Sequence, residues 1–109
     1  MIGSMTLSTH VLDAGSGRPA VRVAVTLTAA GIPVADGITD ADGRIAELGG
    51  ELAVGVYRLH FDTGAYFAAE GISGFYPEVV IAFEITDLTG HYHVPLLLSP
   101  YAYSTYRGS

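Results

Sequence analysis

Apolar and polar positions alternate with a period of two along most of this chain, the pattern of strands with one buried face. Residues 7–13 form the first such run, with Leu7, Thr9, Val11 and Asp13 on one face and Ser8, His10 and Leu12 on the other. Gly15-Ser16-Gly17-Arg18-Pro19 reads as the turn after it. In the second run Val21, Val23, Val25 and Leu27 alternate with Arg22, Ala24, Thr26 and Thr28, which predicts burial of the valine face. Residues 32–39 predict a short third strand. Asp40-Ala41-Asp42-Gly43 is a turn that hands over to a minimal fourth strand, Arg44-Ile45. After the Gly49-Gly50 break, residues 54–62 alternate again, with Tyr57, Leu59 and Phe61 opposite Arg58 and His60. Residues 63–70 are the helical candidate, with Gly71 placed to end it. Val79, Ile81, Phe83 and Ile85 mark a sixth strand, residues 91–98 a seventh, and residues 101–107, after the Ser99-Pro100 reversal, an eighth. Eight short strands at this spacing, without repeats or linkers, predict a single all-β domain built as a sandwich with one short helix.

Composition narrows the function classes. A net charge of −6 with only five basic residues argues against a nucleic acid partner and against anionic membrane surfaces. The absence of cysteine removes disulfides, thiolate metal sites and cysteine nucleophiles. No apolar run approaches the roughly 20 residues of a membrane span. The first five residues lack a basic segment and a long apolar segment, so a signal peptide is not expected and a cytoplasmic protein is. An apolar share of 50% is high for a small monomer and predicts surface buried between subunits.

Four elements carry possible chemistry. His10 lies in the first strand, either as a surface residue or as part of a site. Arg44 is fixed by its turn, and its planar fork suits a carbonyl-rich ligand or a developing oxyanion. His91 and His93 share one strand face, which allows zinc chelation with a third histidine such as His10 or His60, a metal-free catalytic role, or ordinary surface placement. The terminal Tyr106-Arg107-Gly108-Ser109 follows Tyr101 and Tyr103, so the chain end carries large apolar area that is best docked, in its own sheet or against another subunit.

Three motifs give the chain a wider resemblance: residues 7–13 with Gly17-Arg18-Pro19-Ala20, Thr39-Asp40 to Asp42-Gly43-Arg44, and residues 91–101 with 104–109. The stretch from Gly71-Ile72-Ser73 to Phe75-Tyr76-Pro77-Glu78-Val79 joins them. In these the chain resembles transthyretin-like proteins and, within them, the 5-hydroxyisourate hydrolases. The terminal Tyr-Arg-Gly-Ser is the most specific part, because transthyretin itself lacks it and also replaces the residues matching His10, Arg44 and His93. The resemblance covers residues 7–109 as the hydrolase domain and leaves 1–6 as an N-terminal extension. It implies a transthyretin-like eight-stranded β-sandwich, assembled as a homotetramer of two edge-paired dimers around a central channel. It implies hydrolytic opening of the six-membered ring of 5-hydroxyisourate, a step of urate breakdown; with no cysteine and no plausible carboxylate ligand, no metal and no cofactor are expected. Water attack assisted by His10 and His93 is then expected, with Arg44 on the substrate carbonyls, Tyr106 and Ser109 ordering substrate or water, and Arg107 helping to place the terminus. With an unperturbed histidine as base the rate is expected to rise across roughly pH 6 to 7. The rival readings are a transthyretin-type binder of an aromatic ligand and a zinc protein.

Overall fold

The computed structural model describes residues 5–109, so part of the expected N-terminal extension, residues 1–4, lies outside the described residues. Among the described residues, nine strands and one helix follow one another as β1 (Thr6–Asp13), β2 (Arg18–Pro19), β3 (Ala24–Ala29), β4 (Ile32–Ile38), β5 (Arg44–Ile45), β6 (Gly55–Phe61), α1 (Thr63–Ala69), β7 (Val79–Ile85), β8 (His91–Ser99) and β9 (Ala102–Thr105). They form two sheets. One has the order β2-β1-β8-β9 with β5 also paired to β1, and the other the order β4-β3-β6-β7. Eight strands lie where alternation predicts them. The ninth, β2, falls in what reads as a turn. Gly17 takes φ 75 and swings the chain back, so that Arg18 pairs with Asp13 and Pro19 with Leu12.

The inward faces of the two sheets make the core. Leu7, Val11, Val25, Leu27, Leu59, Phe61, Val79, Ile85, Leu96 and Leu98 are essentially sealed from solvent, each burial contributing about 1.5–3 kcal/mol. The second strand departs from expectation at its start. Arg22 has φ 67, and its N–H donates to the Thr39 carbonyl at 3.0 Å instead of continuing a ladder. The strand therefore begins at Ala24, and Val21, expected inside, is exposed. The chain end is docked by its backbone, since β9 pairs with β8 and Gly108 bridges His93. Its tyrosines are not covered: Tyr101, Tyr103 and Tyr106 are exposed in the single chain. Among the described residues, no helix is long and apolar enough to cross a membrane.

One buried carboxylate ties the helix to the sandwich. The Asp62 side chain caps α1 by accepting from the Ala65 N–H, and Gly71, at φ 70, ends the helix. Tyr66 on α1 donates its hydroxyl at 2.7 Å to Asp13 at the end of β1. The other Asp13 oxygen accepts from the Gly15 and Ser16 N–H groups at 2.9 and 3.0 Å. Burial, reinforced by the Asp13 carboxylate, raises the Tyr66 pKa well above its ordinary value, so Tyr66 stays a donor. Tyr66→Phe leaves a buried charged acceptor short of a partner and is expected to cost about 1–3 kcal/mol. The thermal unfolding midpoint checks this; an unchanged midpoint contradicts the role given to this bond.

Candidate active site

The site is built by strand register. β1 and β8 run parallel, pairing Thr6 with His91, Ser8 with His93 and His10 with Pro95. Because Leu7, Thr9 and Val11 point into the core, Thr6, Ser8 and His10 point out, and so do His91 and His93 on β8. On the other side of β1, His10 pairs with Arg44 of β5. Three residues far apart in sequence, His10, Arg44 and His93, are thereby gathered on the outer face of one sheet.

The Arg44 backbone is set by the preceding turn. The Asp40 carboxylate accepts from the Asp42 and Arg44 N–H groups, each at 2.9 Å, and these bonds, led by that to Arg44, hold its pKa below the ordinary range. Gly43 at φ 74 completes the reversal, and its carbonyl accepts from the Val11 N–H at 2.7 Å. A side chain at Gly43 would also collide with the Val11 carbonyl, so the turn admits no other residue without moving β5.

His93 is half-buried and has defined neighbours. Its Nδ1 shares a hydrogen bond with Ser8 Oγ at 2.7 Å. His91 makes the corresponding bond to Thr6 Oγ1, and the two imidazoles stack with centroids 6.3 Å apart and planes 9° apart. Burial lowers the His93 pKa, and Arg44, His91 and His10 push it further in the same direction; the Ser8 backbone opposes them. His93 is therefore a neutral imidazole near pH 7, able to accept a proton.

A hollow of about 230 Å³ opens here, lined by Ser8, Arg44, Ile45, His91, His93 and Ser109 among others. That is below the roughly 300–1,000 Å³ of drug-sized ligand pockets, a scale suited to a small metabolite. His10 stands beside Arg44 without walling the hollow itself. Ser109 reaches it because Gly108 lies flat against His93, donating its N–H to the His93 carbonyl at 2.9 Å. A Cβ at Gly108 would run into the His93 ring.

The other two terminal residues of interest lie elsewhere. Tyr106 and Arg107 line a neighbouring hollow of about 320 Å³ with Phe83, Glu84 and Tyr92, and His93 borders both spaces. The Arg107 guanidinium sits 4.6 Å from the Tyr92 ring centroid and donates to the His91 carbonyl at 3.4 Å. His60, one possible third ligand for a zinc site, is on β6 in the other sheet, bonded to Thr28 Oγ1 at 3.0 Å. Among the described residues, no group of three or more His, Cys, Asp and Glu side chains is placed to hold a metal. Sequence reasoning passed over Ser8 and the tight contact at Gly108. Ser8 was within reach, because a period of two puts it on the face of His10.

Residues 7–108 match the HIUase/Transthyretin family. The chain is 47% identical to the 5-hydroxyisourate hydrolase of Salmonella typhi, over 98% of its own length and 83% of that protein's. The structure of Klebsiella pneumoniae 5-hydroxyisourate hydrolase superposes with a TM-score of 0.91 at 42% identity, covering 96% of this chain and 99% of that one. Transthyretin from Sparus aurata superposes with a TM-score of 0.87 at 39% identity, covering 94% and 96%. The chain belongs to the HIUase/Transthyretin family.

Proposed function

We propose that this chain hydrolyses 5-hydroxyisourate to 2-oxo-4-hydroxy-4-carboxy-5-ureidoimidazoline in urate breakdown, without metal or organic cofactor. The meeting of Arg44 and a proton-accepting His93 in one hollow, with His10 paired to Arg44 beside it, carries this reading. The similar hydrolases of Salmonella typhi and Klebsiella pneumoniae support it. A transthyretin-like fold alone serves a binder equally well, since Sparus aurata transthyretin superposes almost as closely. The imidazole and guanidinium cluster favours turnover over binding alone.

In the proposed reaction, His93 takes a proton from a water molecule as the oxygen attacks a lactam carbonyl carbon of the substrate. Arg44 offsets the charge that develops on the carbonyl oxygen. The carbon–nitrogen bond of the ring then breaks, the nitrogen leaves with a proton delivered from the His10 side, and the carbonyl carbon becomes a carboxylate. Ser109 and Tyr106 order substrate and water at the mouths of the two hollows. Arg107, packed on Tyr92, holds the terminal residues against β8.

The assembly proposed is a homotetramer of two edge-paired dimers. It is supported by β9, whose four residues are all exposed on the edge of its sheet, and by the three uncovered tyrosines around it. Such an edge invites pairing with another copy. Light scattering at micromolar concentration is expected to report four chains; a monomer overturns the assembly.

Loss of the absorbance of freshly generated 5-hydroxyisourate, followed in excess chelator, tests the reaction. Turnover is expected to persist under chelation. Its pH limb follows from His93. Because burial, joined by Arg44, His91 and His10, lowers the folded pKa, His93 gives up its proton more readily than a free imidazole, so the acid-side fall in rate is expected only below the ordinary histidine range. This sets the limb lower than an unperturbed histidine does. Activity that vanishes with chelator and returns with zinc contradicts the metal-free reading, and ligand binding without turnover selects the binder.

A further inference from the structure

We infer that Ser8 is a positioning residue that locks the His93 ring in the tautomer carrying its proton on Nδ1, so that the unprotonated Nε2 is presented to the hollow. The inference rests on the hydrolase reading above for its effect on rate, but its structural content stands on Ser8 and His93 alone.

Three contacts fix the ring. Ser8 Oγ lies 2.7 Å from His93 Nδ1, across a pair that the parallel register of β1 and β8 sets opposite each other. Gly108 occupies the ring's Cδ2 edge so closely that a Cβ there would overlap it. His91, engaged by Thr6 in the same manner, stacks nearly parallel to it at 6.3 Å between centroids. With Nδ1 bonded and the Cδ2 edge covered, Nε2 is the ring nitrogen left facing the space that His93 lines with Arg44 and Ser109.

The direction of the proton at Nδ1 also follows from Ser8. A serine hydroxyl accepts or donates, so Oγ alone does not choose the tautomer. The backbone of Ser8 acts to raise the His93 pKa, the effect of an accepting carbonyl and not of a donating N–H. An effect of Ser8 that favours the protonated ring, on the side where its hydroxyl already bonds Nδ1, favours a proton on that nitrogen. Ser8 is buried, so water competes poorly for this role. Histidines that act through one nitrogen are commonly held by a bond at the other, which sets both tautomer and ring angle.

The other groups bearing on His93 do not supply this bond. His10 on β1, Arg44 on β5 and His91 on β8 act on it through charge, all disfavouring the imidazolium, while Glu84 of β7 and Arg107 of the tail stand across the neighbouring hollow.

The test is the ring nitrogen spectrum of the full chain labelled with ¹⁵N histidine, recorded above pH 7 without substrate, beside steady-state turnover of 5-hydroxyisourate. The expected result is an Nδ1–H tautomer for His93 in the native chain. In Ser8→Ala the signal moves toward the Nε2–H tautomer, and kcat falls about 10- to 100-fold with KM little changed, the range seen when a histidine loses its orienting partner. Ser8→Thr, which keeps the hydroxyl, is expected to restore tautomer and kcat together. An Nε2–H tautomer in the native chain overturns the inference, as does a Ser8→Ala protein whose His93 spectrum and kcat both match the native chain. A native chain that does not turn over 5-hydroxyisourate defeats the functional reading instead, and the nitrogen spectra still decide the role of Ser8.

Discussion

The parallel pairing of β1 with β8 is the constraint on which this molecule's chemistry depends. Side chains on a strand alternate faces, so a slip of one residue in either strand turns its core residues outward and its histidines inward. Leu7 and Val11, together with Tyr92, Val94, Leu96 and Leu98, hold the pair in register by being buried between the sheets. The same register sets Ser8 beside His93 and leaves His10 to pair with Arg44 on the opposite edge of β1. Core packing and site assembly are two faces of a single alignment. A substitution deep in the core can therefore disturb the outer face without touching a residue there.

The electrostatics follow from that gathering. Burial of the His93 ring, reinforced by Arg44, His91 and His10 around it, disfavours the imidazolium. The cation proposed for the oxyanion thus adds to burial in keeping the neighbouring imidazole unprotonated. Arg44 stands there because its backbone is held on β1. Asp40 and Gly43 fix the turn without placing a carboxylate in the hollow, which would weaken both effects.

Much of the fold is legible in the sequence because its strands bury one face each. The alternations of residues 54–62 and 79–85 read directly into β6 and β7, and the helical run closed by Gly71 into α1. Where local pattern is overridden, the reading departs. Val21 continues the valine alternation but is exposed, because Arg22 adopts a left-handed conformation fixed by its bond to the Thr39 carbonyl, a contact between distant residues. β2 is hidden in a turn sequence because two ladder pairs leave almost no hydrophobic trace. At the site, resemblance singles out His10, Arg44, His93 and Ser109, but their meeting needs a strand pairing across 85 residues that periodicity does not encode. The terminal tetrapeptide reads as one unit, yet in three dimensions it divides, with Ser109 on one side of His93 and Tyr106 and Arg107 on the other. His60 shares the composition of a third ligand but belongs to the other sheet, a distinction invisible without the topology.

In the proposed reaction the register-aligned residues act on a single event. The turnover of His10→Asn, His93→Asn and the double variant tests it most directly. If the two rings serve one event in one site, each single change costs about 10²-fold or more, and the double change costs about as much as the worse single one. Losses that multiply in the double variant, as expected of two independent contributions, contradict it.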